Sequence, residues 1–275
     1  MLVLSGDWIP GFKNVLINNF NYMFELKGKV ALVTGARQGM GKAHALALAR
    51  QGAKVIVTNK GIEGCQTVVD EIISKGGEAV CFAMDVTGKT EIDSVFDEVI
   101  TKYGRLDILV NNAGVYIPKP ALEMTEEEWD KTIDINLKGQ FLCAQRSAKE
   151  MAKNKWGRII NIASIASGQV GVGFLDSAHY TASKGGIIGM SETLAIEWAP
   201  LGINVNVIAP GAINTPMMQA GAMSKEELSA LLQRIPLKRV GKPEEVSAMV
   251  VFLASEEASY VIGATFYVDG GWLAQ

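Results

Sequence analysis

The stretch Val30-Ala31-Leu32-Val33-Thr34-Gly35-Ala36-Arg37-Gln38-Gly39-Met40-Gly41-Lys42 decides the fold. Its first residues, Val30 to Val33, are wholly apolar and read as a strand covered on both faces. Glycines at 35, 39 and 41 then interrupt, and helical spacing begins near Met40. A strand, a glycine turn and a helix in that order form a phosphate cradle. Gly35 permits the tight turn, Gly39 lets the backbone approach a pyrophosphate, and Gly41 lets helix and strand pack closely. The helix N-terminus contributes free N–H groups and the positive end of its dipole. The spacing is T-G-x-x-x-G-x-G rather than G-x-G-x-x-G, a variant of the dinucleotide loop.

Outward from this loop the alternation continues to the end of the chain. Short β-branched runs at 54–58, 79–83, 107–110, 158–162, 204–208 and 265–268 read as further strands. Helical spacing fills the intervals near 40–51, 62–75, 90–103, 125–153, 180–199, 224–234 and 243–253. Thr125 stands as an N-cap before three glutamates, and Ser224-x-x-Glu227 has the form of a capping box. Alternating strands and helices with right-handed crossovers predict an α/β chain. The expected architecture is a three-layer, doubly wound Rossmann fold, a seven-stranded parallel sheet with helices on both faces.

With 275 residues, 48 % hydrophobic and no internal repeat or linker, one domain is the economical reading. Residues 1–22 are rich in Asn and poor in charge, and strand-forming sequence follows Met23. They are expected to form an N-terminal extension outside the core, leaving 23–275 as a single catalytic domain. A net charge of −3 argues against a nucleic-acid partner. Three scattered cysteines without a C-x-x-C, and only two histidines, argue against a disulfide scaffold and a metal site. They fit a reducing, cytoplasmic setting. No apolar run approaches the roughly 18 residues of a membrane span.

Four further motifs occur in order. Asn111-Asn112-Ala113-Gly114 follows the fourth strand, Ser164 the fifth and Pro210-Gly211 the sixth, while Tyr180-Thr-Ala-Ser-Lys184 opens a helix. Together with the glycine loop they resemble the short-chain dehydrogenase/reductase family, from about Leu26 to the C-terminus. The resemblance implies hydride transfer between a nicotinamide dinucleotide and a ketone or secondary alcohol, with no metal. It is similar in style to 3-oxoacyl-acyl-carrier-protein reductases. Relatives acting on sugars, polyols or steroids are the alternative, and a non-catalytic dinucleotide-binding regulator is a remote one.

The chemistry of the residues supports that reading. Tyr180 and Lys184 are four apart, one helical turn on the same face. A phenol ordinarily titrates near 10, so a neighbouring ammonium is expected to lower its pKa and ready Tyr180 as general acid/base. Ser164 can donate to the substrate oxygen as charge builds there. The resemblance implies that Asn136 holds a proton-relaying water and that Lys184 hydrogen-bonds the nicotinamide ribose. It also implies dinucleotide contacts from Gly35, Arg37, Gln38, Gly39, Met40, Gly41, Asn112, Ala113, Gly114, Tyr180, Lys184, Pro210, Gly211, Ile213 and Thr215, with Asp85-Val86 at the adenine. Asn59 stands where NAD-specific members carry Asp. Without that carboxylate, and with Lys60 and Arg37 able to neutralise a phosphate, NADP(H) is favoured over NAD(H).

Ser164 and Tyr180 are 16 positions apart, where the resemblance implies about 13. The surplus falls in 168–176, a loop with Phe174 and Leu175 that is expected to border the substrate pocket. His179 should point roughly 100° away from Tyr180. Met217, Met218 and Met223 belong either to an apolar lid or to a helix covering core. Lys119, Lys138, Arg146, Lys149 and Lys153 are candidates for a basic patch that docks an acyl carrier. His44, Trp198 and the cysteines read as packing residues. The resemblance further implies a homotetramer, with contacts from helices near 137–153 and 180–199 and from the last strand.

Overall fold

The computed structural model describes residues 23–167, 172–220 and 223–274. The expected extension 1–22 and the first part of the loop 168–176 lie outside the described residues. Seven parallel strands form one sheet in the order β3-β2-β1-β4-β5-β6-β7. They are β1 (Val30–Val33), β2 (Lys54–Asn59), β3 (Glu78–Ala83), β4 (Ile108–Asn111), β5 (Gly157–Ile162), β6 (Ile203–Pro210) and β7 (Thr265–Val268). The chain winds outward from β1 to β3, then crosses back to β4 on the other side of β1. That reversal opens a crevice beyond the C-terminal ends of β1 and β4, where ligands bind in open parallel sheets.

The alternation of strand side chains makes the three layers. Ala31 and Val33 face helices α1 (Gly39–Arg50), α2 (Cys65–Ser74) and α9 (Pro243–Ala254), in a core with Leu48, Ile72 and Val250. Val30 and Leu32 face the opposite layer of α3 (Lys89–Tyr103), α5 (Gly139–Asn154) and α6 (Ala178–Trp198), with Phe96, Cys143 and Leu194. Burying each such side chain contributes about 1.5–3 kcal/mol. Truncating the fully buried Phe96 to Ala would cost about 3–5 kcal/mol.

Two helices depart from expectation. The single helix expected over 125–153 is divided into α4 (Glu126–Ile133), a π-helical turn (Asp134–Lys138) and α5. The turn places Asn136, wholly buried, at its centre. The second helix begins at Cys65 rather than 62, because Gly64 adopts a left-handed φ of 77° at its N-cap. The other sequence signals are met. Thr125 and Glu128 form a reciprocal capping box at α4, and Ser224 and Glu227 another at α8 (Lys225–Gln233). Between β6 and α8 lies the short α7 (Pro216–Ala220). Among the described residues no helix is long and apolar enough to cross a membrane.

Candidate active site

The glycine loop leaves β1 and enters α1 beneath a groove of about 540 Å³. Gly35 and Gly39 take φ values of 63° and 57°, a region that side chains disfavour. A Cβ on Gly35 would lie 2.8 Å from the Ala113 Cα, and one on Gly41 would lie 2.5 Å from Asn112 Nδ2. Gly41 therefore serves the approach of two loops, rather than the packing of helix on strand that the sequence suggests. Asn112 ties them, its Nδ2 donating to the Thr34 and Gly35 carbonyls at 2.9 and 3.1 Å. In return Thr34 Oγ1 accepts from the Asn112 and Ala113 N–H groups. The N-terminus of α1 carries no acidic residue in its first turn and no side-chain cap from Gln38. Its N–H groups are left facing the groove, a donor set that suits a pyrophosphate.

Of the residues expected to touch a dinucleotide, Arg37, Gln38, Met40, Asn59, Lys60, Asp85, Val86, Gly114 and Thr215 line this groove with the three loop glycines, Asn112 and Ala113. Pro210, Gly211, Ile213, Tyr180 and Lys184 do not. Ile213 is buried, and its Cδ1 points at Gly241, while Gly211 backs closely onto Asp269. They hold the end of β6 in place. Thr87, Lys131 and Ile135 line the groove without having been marked by any motif.

At the adenosine end the structure revises one expectation. Lys60 Nζ lies 2.7 Å from Asp85 Oδ2, so the ammonium expected to meet a phosphate is already paired. Asp85 also accepts from the N–H and hydroxyl of Thr87, and these bonds with Lys60 hold its carboxyl below the usual range against the opposing effect of burial. Arg37 is exposed, lines the groove and has no ion-pair partner among the described residues. At the tip of β2 Asn59 presents an amide whose Nδ2 donates to the Gly61 carbonyl at 3.3 Å, and the carboxylate at this end of the groove is that of Asp85.

Behind Gly114, where a Cβ would lie 3.2 Å from Asn136 Oδ1 and 3.8 Å from Lys184 Nζ, stand Asn136 and Lys184 with Tyr180 and Ser164; none of the four lines the groove itself. Ser164 follows β5, and its hydroxyl lies near enough to the Tyr180 phenol to favour the phenolate. Its Oγ also accepts from the Ala166 N–H at 3.1 Å. Lys184 Nζ lies 5.6 Å from the Tyr180 ring centre and donates to the Ile162 carbonyl at 2.9 Å. The expected lowering of the Tyr180 pKa by Lys184 is not what the structure gives. Burial dominates and pushes the phenol up to about 12, opposed by the Ser164 hydrogen bond and reinforced by Tyr116. Burial also brings the Lys184 ammonium down to about 8. Asn136 Oδ1 accepts from the Val115 N–H at 2.8 Å, and its Nδ2 donates to the Val115 carbonyl at 3.0 Å and Ser183 Oγ at 3.2 Å. The π-helical turn thereby pins the loop that leaves Gly114.

A buried polar network lies beneath the centre, and no motif marked most of it. Asn111 Nδ2 donates to Asn161 Oδ1, Asn161 Nδ2 to Ser191 Oγ, and Gln140 Nε2 to the same Ile162 carbonyl that receives Lys184. Tyr116 is a second unmarked residue, packed edge-on against Tyr180 with ring centres 4.9 Å apart. Its sequence context, Val-Tyr-Ile-Pro, carries no signal beyond its closeness to Gly114.

The remaining expectations divide. His179 is buried, and its Nδ1 has no hydrogen-bond partner among the described residues. His44 is a packing residue that hydrogen-bonds Ser247, and Cys65, Cys81 and Cys143 are free thiols. Phe174, in the described part of the long loop, stacks edge-on with Trp272 beside Ile165, whereas Leu175 is exposed. Met217 lines the groove and is half-exposed, and neither α7 nor α8 buries a residue completely, which fits a cover better than a core helix. The basic patch is largely neutralised. Lys119 pairs with Glu128, Lys138 with Asp134, Arg146 with Asp97 and Glu150, and Lys153 with Glu150.

Comparison with known proteins agrees with this geometry. Residues 35–273 match the family described as Enoyl-(Acyl carrier protein) reductase. A 3-oxoacyl-[acyl-carrier-protein] reductase from Synechocystis sp. is 45 % identical over 253 residues, covering 90 % of this chain and 98 % of the relative. A (2S)-[(R)-hydroxy(phenyl)methyl]succinyl-CoA dehydrogenase subunit from Thauera aromatica is 39 % identical over 246 residues, covering 90 % and 97 %. A crystal structure from Beutenbergia cavernae, described as an NAD(P)-dependent gluconate 5-dehydrogenase with bound NADP at low occupancy, superposes with a TM-score of 0.87. It is 38 % identical and covers 92 % of this chain and 99 % of its own. The chain belongs to the short-chain dehydrogenase/reductase family, NAD(P)-using oxidoreductases that act on ketone and CH–OH groups.

Proposed function

We propose that the chain reduces 3-oxoacyl thioesters to the secondary alcohol with NADPH, Tyr180 supplying the proton. The gathering of Ser164, Tyr180, Lys184 and Asn136 behind Gly114, which itself lines the groove, carries this reading. When bound, the dinucleotide supplies the hydride. Gly35, Gly39 and Gly41 with the α1 N-terminus would hold its pyrophosphate, and Arg37 the 2′-phosphate. Ser164 donates to the ketone oxygen, orienting it and stabilising the charge that develops there. Tyr180 retains its proton at neutral pH, since its pKa is pushed up to about 12, and so stands ready as an acid. Lys184, held by the Ile162 carbonyl, supports the phenol as it gives up that proton. Asn136 fixes Val115 and Ser183 around the path by which the proton is replaced.

Behind Ser164 the buried side chains of Ile165, Ile235 and Trp272 pack with Val172 and Phe174 into a small apolar cluster. The assembly we propose is a homotetramer of residues 23–275 in a cytoplasmic setting. The exposed Ile196, Tyr260 and Ile262 and the three free thiols support it. Acetoacetyl-CoA, a carrier-bound 3-oxoacyl chain, a 2-enoyl thioester, gluconate and a steroid ketone, each assayed with NADPH and NADH, test the substrate reading. Turnover of the enoyl thioester or the polyol in preference to the 3-oxoacyl compounds would refute it. Tyr180→Phe should still bind NADPH while turnover drops by about 10²–10⁴-fold. Near-native turnover would refute the mechanism.

A further inference from the structure

We infer that Tyr116 is a positioning residue for Tyr180, the pin of a latch between the loop after β4 and the loop before α6. The latch has four members. Tyr116 presents its ring edge-on to Tyr180, with centres 4.9 Å apart and planes at 76°. Its hydroxyl lies 3.2 Å from Ser177 Oγ, and Ser177 is the N-cap residue of α6. Ser177 Oγ in turn donates to the Leu175 carbonyl at 2.8 Å. Three residues after Tyr116, the Lys119 N–H donates to the Asp176 carbonyl at 2.7 Å.

The ends of this latch are anchored. On one side Val115 is held through both its N–H and its carbonyl by Asn136, so Tyr116 starts from a fixed backbone. On the other side Asp176 takes a left-handed φ of 56°, a conformation costly for a residue with a side chain. The Lys119 and Tyr116 contacts bracket that residue. They end the long loop at a defined place and set the entry into α6, whose first turn carries Tyr180.

Ser177 lends α6 no side-chain cap, because its hydroxyl is committed to Leu175 and Tyr116. The first turn of α6 is therefore oriented by the latch rather than by capping. Tyr180 has its phenol against Ser164 and its ring against Tyr116, so removing the ring of Tyr116 frees one face of the acid. Edge-to-face pairs of this kind favour one relative orientation over others. Tyr116 is itself half-exposed, so its own outer face is available to the substrate side of the centre.

This inference rests on Tyr180 being the acid, and the experiment separates the two. Tyr116→Ala, Tyr116→Phe and Tyr180→Phe are compared by kcat and KM with whichever ketone of the panel turns over fastest, by NADPH binding, and by crystal structure. Misplacement of a reacting group by about 1 Å can cost about 10²-fold. Tyr116→Ala is expected to lose about 10–100-fold in kcat with NADPH affinity held within about twofold. Its Tyr180 ring should shift or take more than one orientation. Tyr116→Phe keeps the ring and loses only the Ser177 link, so it should recover to within about threefold to tenfold of native. If Tyr116→Ala fails to fold, Tyr116→Leu takes its place, keeping bulk but no aromatic edge.

A native kcat in the alanine or leucine variant, or a Tyr180 ring left in place, overturns the inference. So does a loss in Tyr116→Phe equal to that in Tyr116→Ala, or a fall confined to NADPH affinity. Should Tyr180→Phe stay active, the acid assignment fails instead, and the Tyr180 ring position in Tyr116→Ala still decides whether Tyr116 positions it.

Discussion

Gly41→Ala tests the phosphate cradle by adding a single methyl. An alanine Cβ would sit 2.5 Å from Asn112 Nδ2 and 2.9 Å from the Ala36 Cα, and closer still to the Gly35 carbonyl. Ordinary contact needs about 3.5 Å, so Asn112 must retreat by about 1 Å. That breaks or stretches its two bonds to the Thr34 and Gly35 carbonyls, each contributing about 1 kcal/mol. Overpacking adds about 1–3 kcal/mol, and the better helix propensity of alanine returns about 1. The net loss is about 2–4 kcal/mol, or about 4–16 °C in Tm for a chain of this size. The larger effect is on binding, since the displaced atoms belong to the loop that faces the pyrophosphate. NADPH affinity should fall by about 10–100-fold, measured by fluorescence quenching or calorimetry. An alanine variant that binds NADPH within about twofold of native would show that the close approach at Gly41 does not shape the cradle.

Three other outcomes follow from the site and its surroundings. Arg37→Ala should raise the KM for NADPH by about tenfold or more and leave NADH unaffected, whereas Lys60→Ala, whose ammonium is held by Asp85, should change it by about threefold at most; the reverse order would place the phosphate at Lys60. The kcat/KM for reduction should be flat near neutrality and decline above pH about 8 as Lys184 loses its proton, with the decline absent in whatever activity Lys184→Arg retains; a native profile flat to pH 10 would contradict a role for the ammonium. His44 is buried with its pKa lowered to about 3 from an ordinary 6.5, so below pH 6.5 the unfolded chain takes up a proton that the folded chain refuses. Stability should therefore fall by about 3–5 kcal/mol as pH drops from 6.5 toward 3, less steeply in His44→Asn, by urea titration at each pH.

Most of the fold was legible because it is written in local periodicity. Val30–Val33 is too short and too apolar for anything but a covered strand between helices, while Glu78–Ala83, at the sheet edge, buries only Ala79. The glycine loop was legible because its conformations exclude side chains, and Gly35 and Gly39 do take positive φ. The pair proposed to react, Tyr180 and Lys184, was legible because their four-residue spacing on one helix face recurs together with Ser164 and the other motifs in order. What was hidden depends on partners distant in the chain. Lys60 meets Asp85 from another strand, and neither residue announces the other. Burial of Tyr180 outweighs the ammonium at Lys184, a balance that no spacing reveals. The positively charged patch looked free because Glu128, Asp97 and Glu150 reach it from other turns and other helices.

The π-helical turn at Asp134–Lys138 has a mechanical consequence. One wide turn amounts to a residue inserted into a continuous rod, which rotates everything beyond it by about 100° relative to an unbroken helix. Before the turn the rod lies against α6, and after it the rod lies against α3 and the sheet strands β4 and β5. A single helix thus works like a gear change, meshing with two sets of neighbours that no one apolar stripe could serve. Deleting one residue from 134–138 would disengage it, bringing the two halves back into a common stripe and forcing one of them to turn its apolar face to water.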